Sequence, residues 1–299
     1  MNNFEQRMFL DYLDKLLNHI DIRSYEFDNV LEFFMFQFKI KRSNFKFDED
    51  GVVLSETRLQ QADLKKKLKV IVSELKEKIP VINTKLEQKL LLIKEIYKLE
   101  ENEYKAFVFL LLQEINNKFS ELDSSISGSS FDKFARYYLK VRYGEKERIV
   151  NNLYLNKLTC NKSSNPSINV DILKIFDNQK CDTVDKIIAS LLGKSEKSTL
   201  TLKDYSHLEK ECNKAINILK SAIEKKAKGI NILFYGNPGT GKTELSALIA
   251  NSISIPIYAV KTENSNGLEA KREERLADLY SKQQILSRTG NACILFDEA

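Results

Sequence analysis

The 299-residue chain carries 47 basic and 42 acidic residues, and its net charge of +5 neither demands nor excludes a nucleic-acid partner. Apolar residues at 42% and charged residues at 30% are ordinary for a soluble protein, and the length suits two domains or one large domain with an appendage. Four scattered cysteines without C-x-x-C spacing and only two histidines argue against a zinc site and for reduced thiols in a cytoplasmic protein. Glu5, Arg7 and Asp11 sit where a signal peptide would need its apolar centre, and the longest apolar run, Ala106 to Leu112, is too short to span a bilayer, so no membrane is expected.

Residues 1–123 read as a helical N-terminal region rich in Leu, Lys and Glu. Within it, Val30 to Phe47 is aromatic-rich and ambiguous between strand and helix. Beside Asp48, Glu49 and Asp50 it suits core packing better than base stacking, and Asp50-Gly51 reads as a turn. Leu64, Leu68, Ile71, Leu75 and Ile79 recur at steps of three and four, an apolar stripe that Pro80 ends. A second periodic stretch runs from Ile82 to Leu99. Tyr104 to Leu122 has a broader apolar face, expected at the centre of a bundle.

Ser124 to Ser130 is a linker by composition. Residues 131–194 then form a connecting subdomain. Phe131 to Lys140 reads as a helix, Tyr143-Gly144 as a turn, Glu145 to Leu158 as a helix and Asn161 to Ser167 as a polar loop. That order also matches a winged helix-turn-helix, with Lys133, Arg136, Lys140, Arg142, Lys146 and Arg148 as its positive charge. The simpler reading is a pair of connecting helices with solvated basic faces. Asp182 or Thr183 caps a further helix that ends near Leu192-Gly193, and Ser195 to Ser198 is a polar break.

Residues 200–299 carry the chemistry. Ile230 to Tyr235 is a short apolar run of the kind found in buried parallel strands, and Lys242 to Ser252 is a helix. Between them, Gly236 to Thr243 reads G-x-x-x-x-G-K-T. A nucleotide triphosphate needs this combination: backbone N–H groups, an ammonium and a hydroxyl for Mg²⁺, all at the positive end of a helix. The binding residues are Gly236, Asn237, Pro238, Gly239, Thr240, Gly241, Lys242, Thr243 and Glu244. The glycines allow close backbone approach, Lys242 reaches the β/γ oxygens, and the Thr243 hydroxyl coordinates Mg²⁺.

Ile255 to Val260 follows as a strand, Lys261 to Gly267 as a loop and Leu268 to Ser287 as a helix. Cys293 to Phe296 then delivers Asp297 and Glu298 to the C-terminal edge of a buried strand. Asp297 is assigned to Mg²⁺, through water. Glu298 is assigned as the residue that orients and deprotonates the attacking water, with Lys242 as its catalytic companion.

Together the glycine-rich motif, read as GxPGTGKT, and the following Asp-Glu-Ala make Leu200 to Ala299 resemble an AAA+ ATPase of the AAA type. The resemblance implies an α/β fold: a three-layer P-loop ATPase core, incomplete here, after a mainly helical region. It also implies ATP and Mg²⁺ as cofactors, a homo-oligomeric ring in the full-length form, and hydrolysis that remodels a partner, protein rather than nucleic acid. Lys203 to His207 resemble the segment that lines the family's adenine pocket. The stretch Asn266-Gly267-Leu268 lacks the aromatic of a pore loop, which speaks against substrate threading. The sensor strand, arginine finger and lid that the resemblance implies would lie beyond Ala299. The chain therefore reads as truncated just after the Asp-Glu pair, expected to bind ATP better than to hydrolyse it. Two strand edges are left without partners, so the expectation is either a metastable sheet or direct pairing of the first and third strands. The rival readings are a protein- or nucleic-acid-binding N-terminal module with an accessory motor and, weakest, a small-molecule kinase.

Overall fold

The computed structural model describes residues 2–20, 27, 58–124, 130–227, 229–263, 267–287 and 289–297. The expectations for Val30 to Phe47, Asp50-Gly51, most of the Ser124–Ser130 linker, Asn266 and Glu298 lie outside the described residues.

The chain divides into two units. The first comprises Met1–Tyr154 and Leu158–Asp182, the second Leu155–Lys157 and Thr183–Ala299.

The first unit is helical: α1 (Asn3–Leu17), α2 (Arg58–Lys78), α3 (Lys85–Tyr97), α4 (Glu101–Ile115), α5 (Asn117–Ser124), α6 (Ser130–Lys133), α7 (Tyr143–Leu155) and α8 (Val170–Asp177). Asn2 and Glu5 form a capping box at the start of α1, and Thr84 caps α3, so each helix begins where a side chain satisfies an otherwise orphaned N–H. Helix α4 is the central one. All seven residues from Ala106 to Leu112 are buried, which explains why its apolar face wraps round the helix. In α2, Leu68 and Val72 are buried, and Ile71, Leu75 and Ile79 are half-buried beside them.

From α6 the chain runs into a π-helical turn, Phe134–Leu139, closed by Lys140 in the left-handed region (φ 58°). The predicted turn at Tyr143-Gly144 is instead the first turn of α7. The direction change comes earlier, where Lys140 already supplies the break. The π turn packs Phe134 flat against Phe109, centroids 4.0 Å apart, while Tyr12 meets Phe109 edge-on at 5.1 Å. The buried Lys89 ammonium donates to the carbonyls of Ile175, Phe176 and Asn178 at 2.8, 3.1 and 2.7 Å, closing the C-terminal end of α8. Burial lowers its pKa, and the helix-end carbonyls compensate the charge. Asn161 to Ser167 is a hairpin-like loop, clasped by an antiparallel bridge between Thr159 and Ile168.

The second unit holds α9 (Val184–Leu192, capped by Thr183 and ended by Gly193), a 3₁₀ turn (Leu202–Leu208), α10 (Glu209–Glu224), α11 (Lys242–Ser252), β1 (Ile257–Ala259), α12 (Arg272–Leu286) and β2 (Cys293–Leu295). The two strands pair in parallel, Ile257 with Cys293 through Ala259 with Leu295, and helix α12 makes the crossover. Ala247 and Ala250 of α11 pack on Ile257, with Cys293 and Leu295 alongside. The architecture is thus α/β in this unit after a mainly helical region. Asp278 of α12 accepts from Lys282 Nζ at 2.6 Å and from the Lys261 N–H at 3.0 Å, pinning the chain as it leaves β1.

The predicted strand Ile230 to Tyr235 is corrected. It makes no ladder among the described residues, and the second and third predicted strands pair, not the first and third. The run still alternates. Ile232 and Phe234 pack on Tyr205, Cys212, Ile216, Leu245 and Leu248, while Leu233 is 77% and Tyr235 89% exposed. A strand needs a neighbour to take its N–H and C=O groups, and none of the described residues lies alongside to do so. Among the described residues no helix is long and apolar enough to cross a membrane.

Candidate functional site: the phosphate loop and the end of strand β2

The loop Gly236–Gly241 turns the chain from the apolar run into α11, whose N-cap is Gly241. Gly239 and Gly241 sit at φ 76° and 77°, in the region that a side chain disfavours. Thr240 Oγ1 donates to the Asn237 carbonyl at 2.9 Å and braces the loop across its width. Lys242 Nζ donates to the carbonyls of Gly236 and Asn237 at 3.2 and 2.8 Å, so the ammonium lies over the inside of the loop. The N–H groups of Lys242, Thr243 and Glu244 belong to the first turn of α11, where a helix has no internal acceptors for them. They form the positive end on which an anion is held.

Strand β2 ends beside that helix start. Thr243 Oγ1 donates to Asp297 Oδ2 at 2.6 Å. Two motifs 54 positions apart therefore meet, as the spacing of the elements between them allows. Arg275 of α12 donates to the Asp297 carbonyl and lies over the Phe296 ring, 4.5 Å from its centroid. No local signal in the sequence marks Arg275 for this task. Pro238 lies in the exposed part of the loop.

Glu244 turns its carboxylate away from the loop. Oε1 accepts from Ser198 Oγ at 2.6 Å and from the Thr199 N–H at 3.0 Å, and the Ser198 bond holds its pKa below the usual value. One face of α11 thereby carries Glu244 and Asn251, seven residues apart, both bound to the segment 196–199. Of Lys203 to His207, Tyr205 is buried with its hydroxyl on the Gly241 carbonyl at 3.1 Å, and the other four are exposed.

In the first unit, Lys146 and Arg148 of the helix-turn-helix reading are held by acids. Lys146 bonds Asp132 at 2.7 Å, and Arg148 bonds Glu100 at 2.8 Å and faces Glu103 at 3.6 Å.

A glycine loop opening a helix after an apolar run, with a strand-end aspartate on the helix's second residue, defines a P-loop nucleotide-binding core. The family model that matches residues 232–299 is the ATPase family associated with various cellular activities (AAA), and this part of the chain is similar to that family. Its relatives include a cell division control protein 48 homolog C of Arabidopsis thaliana, 35% identical over 108 residues, which are 33% of this chain and 13% of that protein. A 26S proteasome regulatory subunit homolog of Methanothermobacter thermautotrophicus is 34% identical over 68 residues, 23% of this chain and 18% of that protein. The replication factor C large subunit of Picrophilus torridus is 33% identical over 70 residues, 23% of this chain and 17% of its own length. The matched chain thus spans 13 to 18% of the length of these relatives. No solved structure matches.

Proposed function

We propose that residues 200–299 bind Mg-ATP. The observation that carries this reading is the 2.6 Å hydrogen bond from Thr243 to Asp297, which places two hard oxygen donors together at the mouth of the phosphate loop. Those donors fit Mg²⁺, whose ligands are hydroxyl, carboxylate and phosphate oxygens, so Thr243 and Asp297 would hold it. When bound, the ion would offset the negative charge of the phosphate oxygens.

The chain's own groups do the remaining work. N–H groups from Gly239 to Glu244 hold the β-phosphate, and Lys242 exchanges its two loop carbonyls for β/γ oxygens. Gly236, Asn237 and Pro238 shape the approach. Glu298, next to Asp297 in sequence, is proposed as the base that orients the attacking water.

For the whole protein the proposed activity is ATP hydrolysis by a ring of copies that remodels a protein partner, in the cytoplasm. The family match over residues 232–299 supports it, and so does a relative named as a proteasome regulatory subunit homolog. The helical residues 1–123 and 131–194 are proposed to choose that partner.

A titration with a fluorescent ATP analogue in the presence of Mg²⁺ tests the binding. Lys242→Ala is expected to weaken it at least about tenfold, the loss of a charge-assisted contact. Equal affinity in wild type and variant sinks the reading.

A further inference from the structure

The segment between α9 and α10 looks in sequence like a polar break, yet it is tied down along its length. Ser195 Oγ accepts from the Ile257 N–H at 3.0 Å and the Glu196 N–H donates to the Ile257 carbonyl at 2.9 Å, so it lies along the edge of β1. Asn251 Nδ2 donates to the Glu196 carbonyl at 3.2 Å, and Asn251 Oδ1 accepts from the Ser198 N–H at 3.3 Å. Glu244 takes Ser198 and Thr199, as above. Thr201 and Asp204 then close a capping box that starts the 3₁₀ turn. Nothing in these bonds involves the phosphate loop itself until Tyr205.

Tyr205 sits 7% exposed in the cluster under α11, with its hydroxyl 3.1 Å from the Gly241 carbonyl. That carbonyl also accepts the Leu245 N–H at 2.8 Å, the first bond of α11. A Cβ on Gly241 would stand 2.7 Å from the Tyr205 hydroxyl, so the ring closes on this peptide with no room to spare. The peptide bond is planar and trans, so fixing the Gly241 carbonyl fixes the Lys242 N–H in the opposite direction, out of the helix toward the loop. Burial raises the Tyr205 pKa, which keeps the hydroxyl a donor throughout the neutral range.

We propose that Tyr205 is a positioning residue of the phosphate loop: held by a strap, residues 195–205, that Glu244 and Asn251 anchor, it sets the Gly241–Lys242 peptide and so aims the Lys242 N–H at a bound polyphosphate. The proposal rests on the Mg-ATP reading for its ligand, but the hold of the strap on the loop is a property of the ligand-free chain.

The test uses the full chain and two variants, Tyr205→Phe, which keeps the ring, and Ser198→Ala, which unhooks the strap without touching the apolar cluster. Amide hydrogen exchange is read on the peptide covering 236–245 without ligand. Affinities are read for Mg-ATP and for magnesium tripolyphosphate, which has no base. Faster exchange is expected in that peptide for both variants. Affinity for both ligands should fall in Tyr205→Phe by one common factor, about fivefold, the worth of a single hydrogen bond. Unchanged exchange at 236–245 in both variants overturns the proposal, as does a loss confined to ATP, which would make Tyr205 an adenine contact. If wild type binds neither ligand, the Mg-ATP reading fails by itself, and the exchange data still decide whether the strap holds the loop.

Discussion

Thr243, the second residue of one helix, donates its hydroxyl hydrogen at 2.6 Å to the carboxylate of Asp297, just beyond the end of one strand. The bond is where the two halves of the site become one. It also holds both oxygens in place before any ligand arrives, so ordering them costs little on binding.

Asp297→Ala is expected to uncouple nucleotide binding from Mg²⁺. Wild type should bind ATP at least about tenfold more tightly with Mg²⁺ than with chelator, whereas the variant should show nearly the same affinity in both. Paired titrations measure this. A variant that keeps the full response to Mg²⁺ would place the ion elsewhere.

Arg275 braces the same strand end through the Asp297 carbonyl and the Phe296 ring. Arg275→Met keeps much of the aliphatic stem and removes both the donor and the cation. Its expected cost is about 1–2 kcal/mol in urea unfolding. The response to Mg²⁺ should also weaken, because Asp297 loses its anchor. Unaltered stability and an unaltered response together would show that Arg275 does not brace the strand.

The Glu244 anchor sets a pH dependence. Its folded-state pKa is depressed, chiefly by the Ser198 hydroxyl, so its contribution is present above the ordinary carboxylate pKa and is lost as pH falls through the lowered value. Exchange of the strap peptide 195–201 should therefore differ between wild type and Glu244→Gln at neutral pH. The two should converge below the usual carboxylate range. A difference that persists unchanged into strong acid would exclude the carboxylate as the anchor.

Lys89 closes α8 with three hydrogen bonds from a buried ammonium. Lys89→Met has similar length but leaves three carbonyls without their donor. Destabilisation of the first unit by about 2–4 kcal/mol is expected in thermal or urea unfolding. A neutral result would mean that water replaces the ammonium at no cost.

Much of the helical region was legible because helices are local. Thr183 caps where a cap was read, and Pro80 follows a helix that ends at Lys78. Ala106 to Leu112 read as a broad face and is buried throughout. The misreadings are equally physical. Tyr143-Gly144 has turn composition, but Lys140 makes the turn in a conformation that its side chain gives no hint of. Leu233 and Tyr235 have strand composition, but the described chain supplies no ladder partner. In the candidate site, Gly236 to Thr243 could be read whole. The strap could not, because Ser195, Ser198 and Thr199 have the composition of an ordinary linker.

By itself the sequence determined the glycine-rich loop, the helix that follows it and the short strand that leads to Asp297, because each depends on residue types at fixed short spacing. Only the tertiary structure decided which strands pair, that Glu244 faces the strap and not the loop, and that Tyr205 holds Gly241. Those are choices of partner between distant segments. A hydrogen-bonding side chain carries no mark of which distant donor or acceptor it will find until packing has brought one within reach.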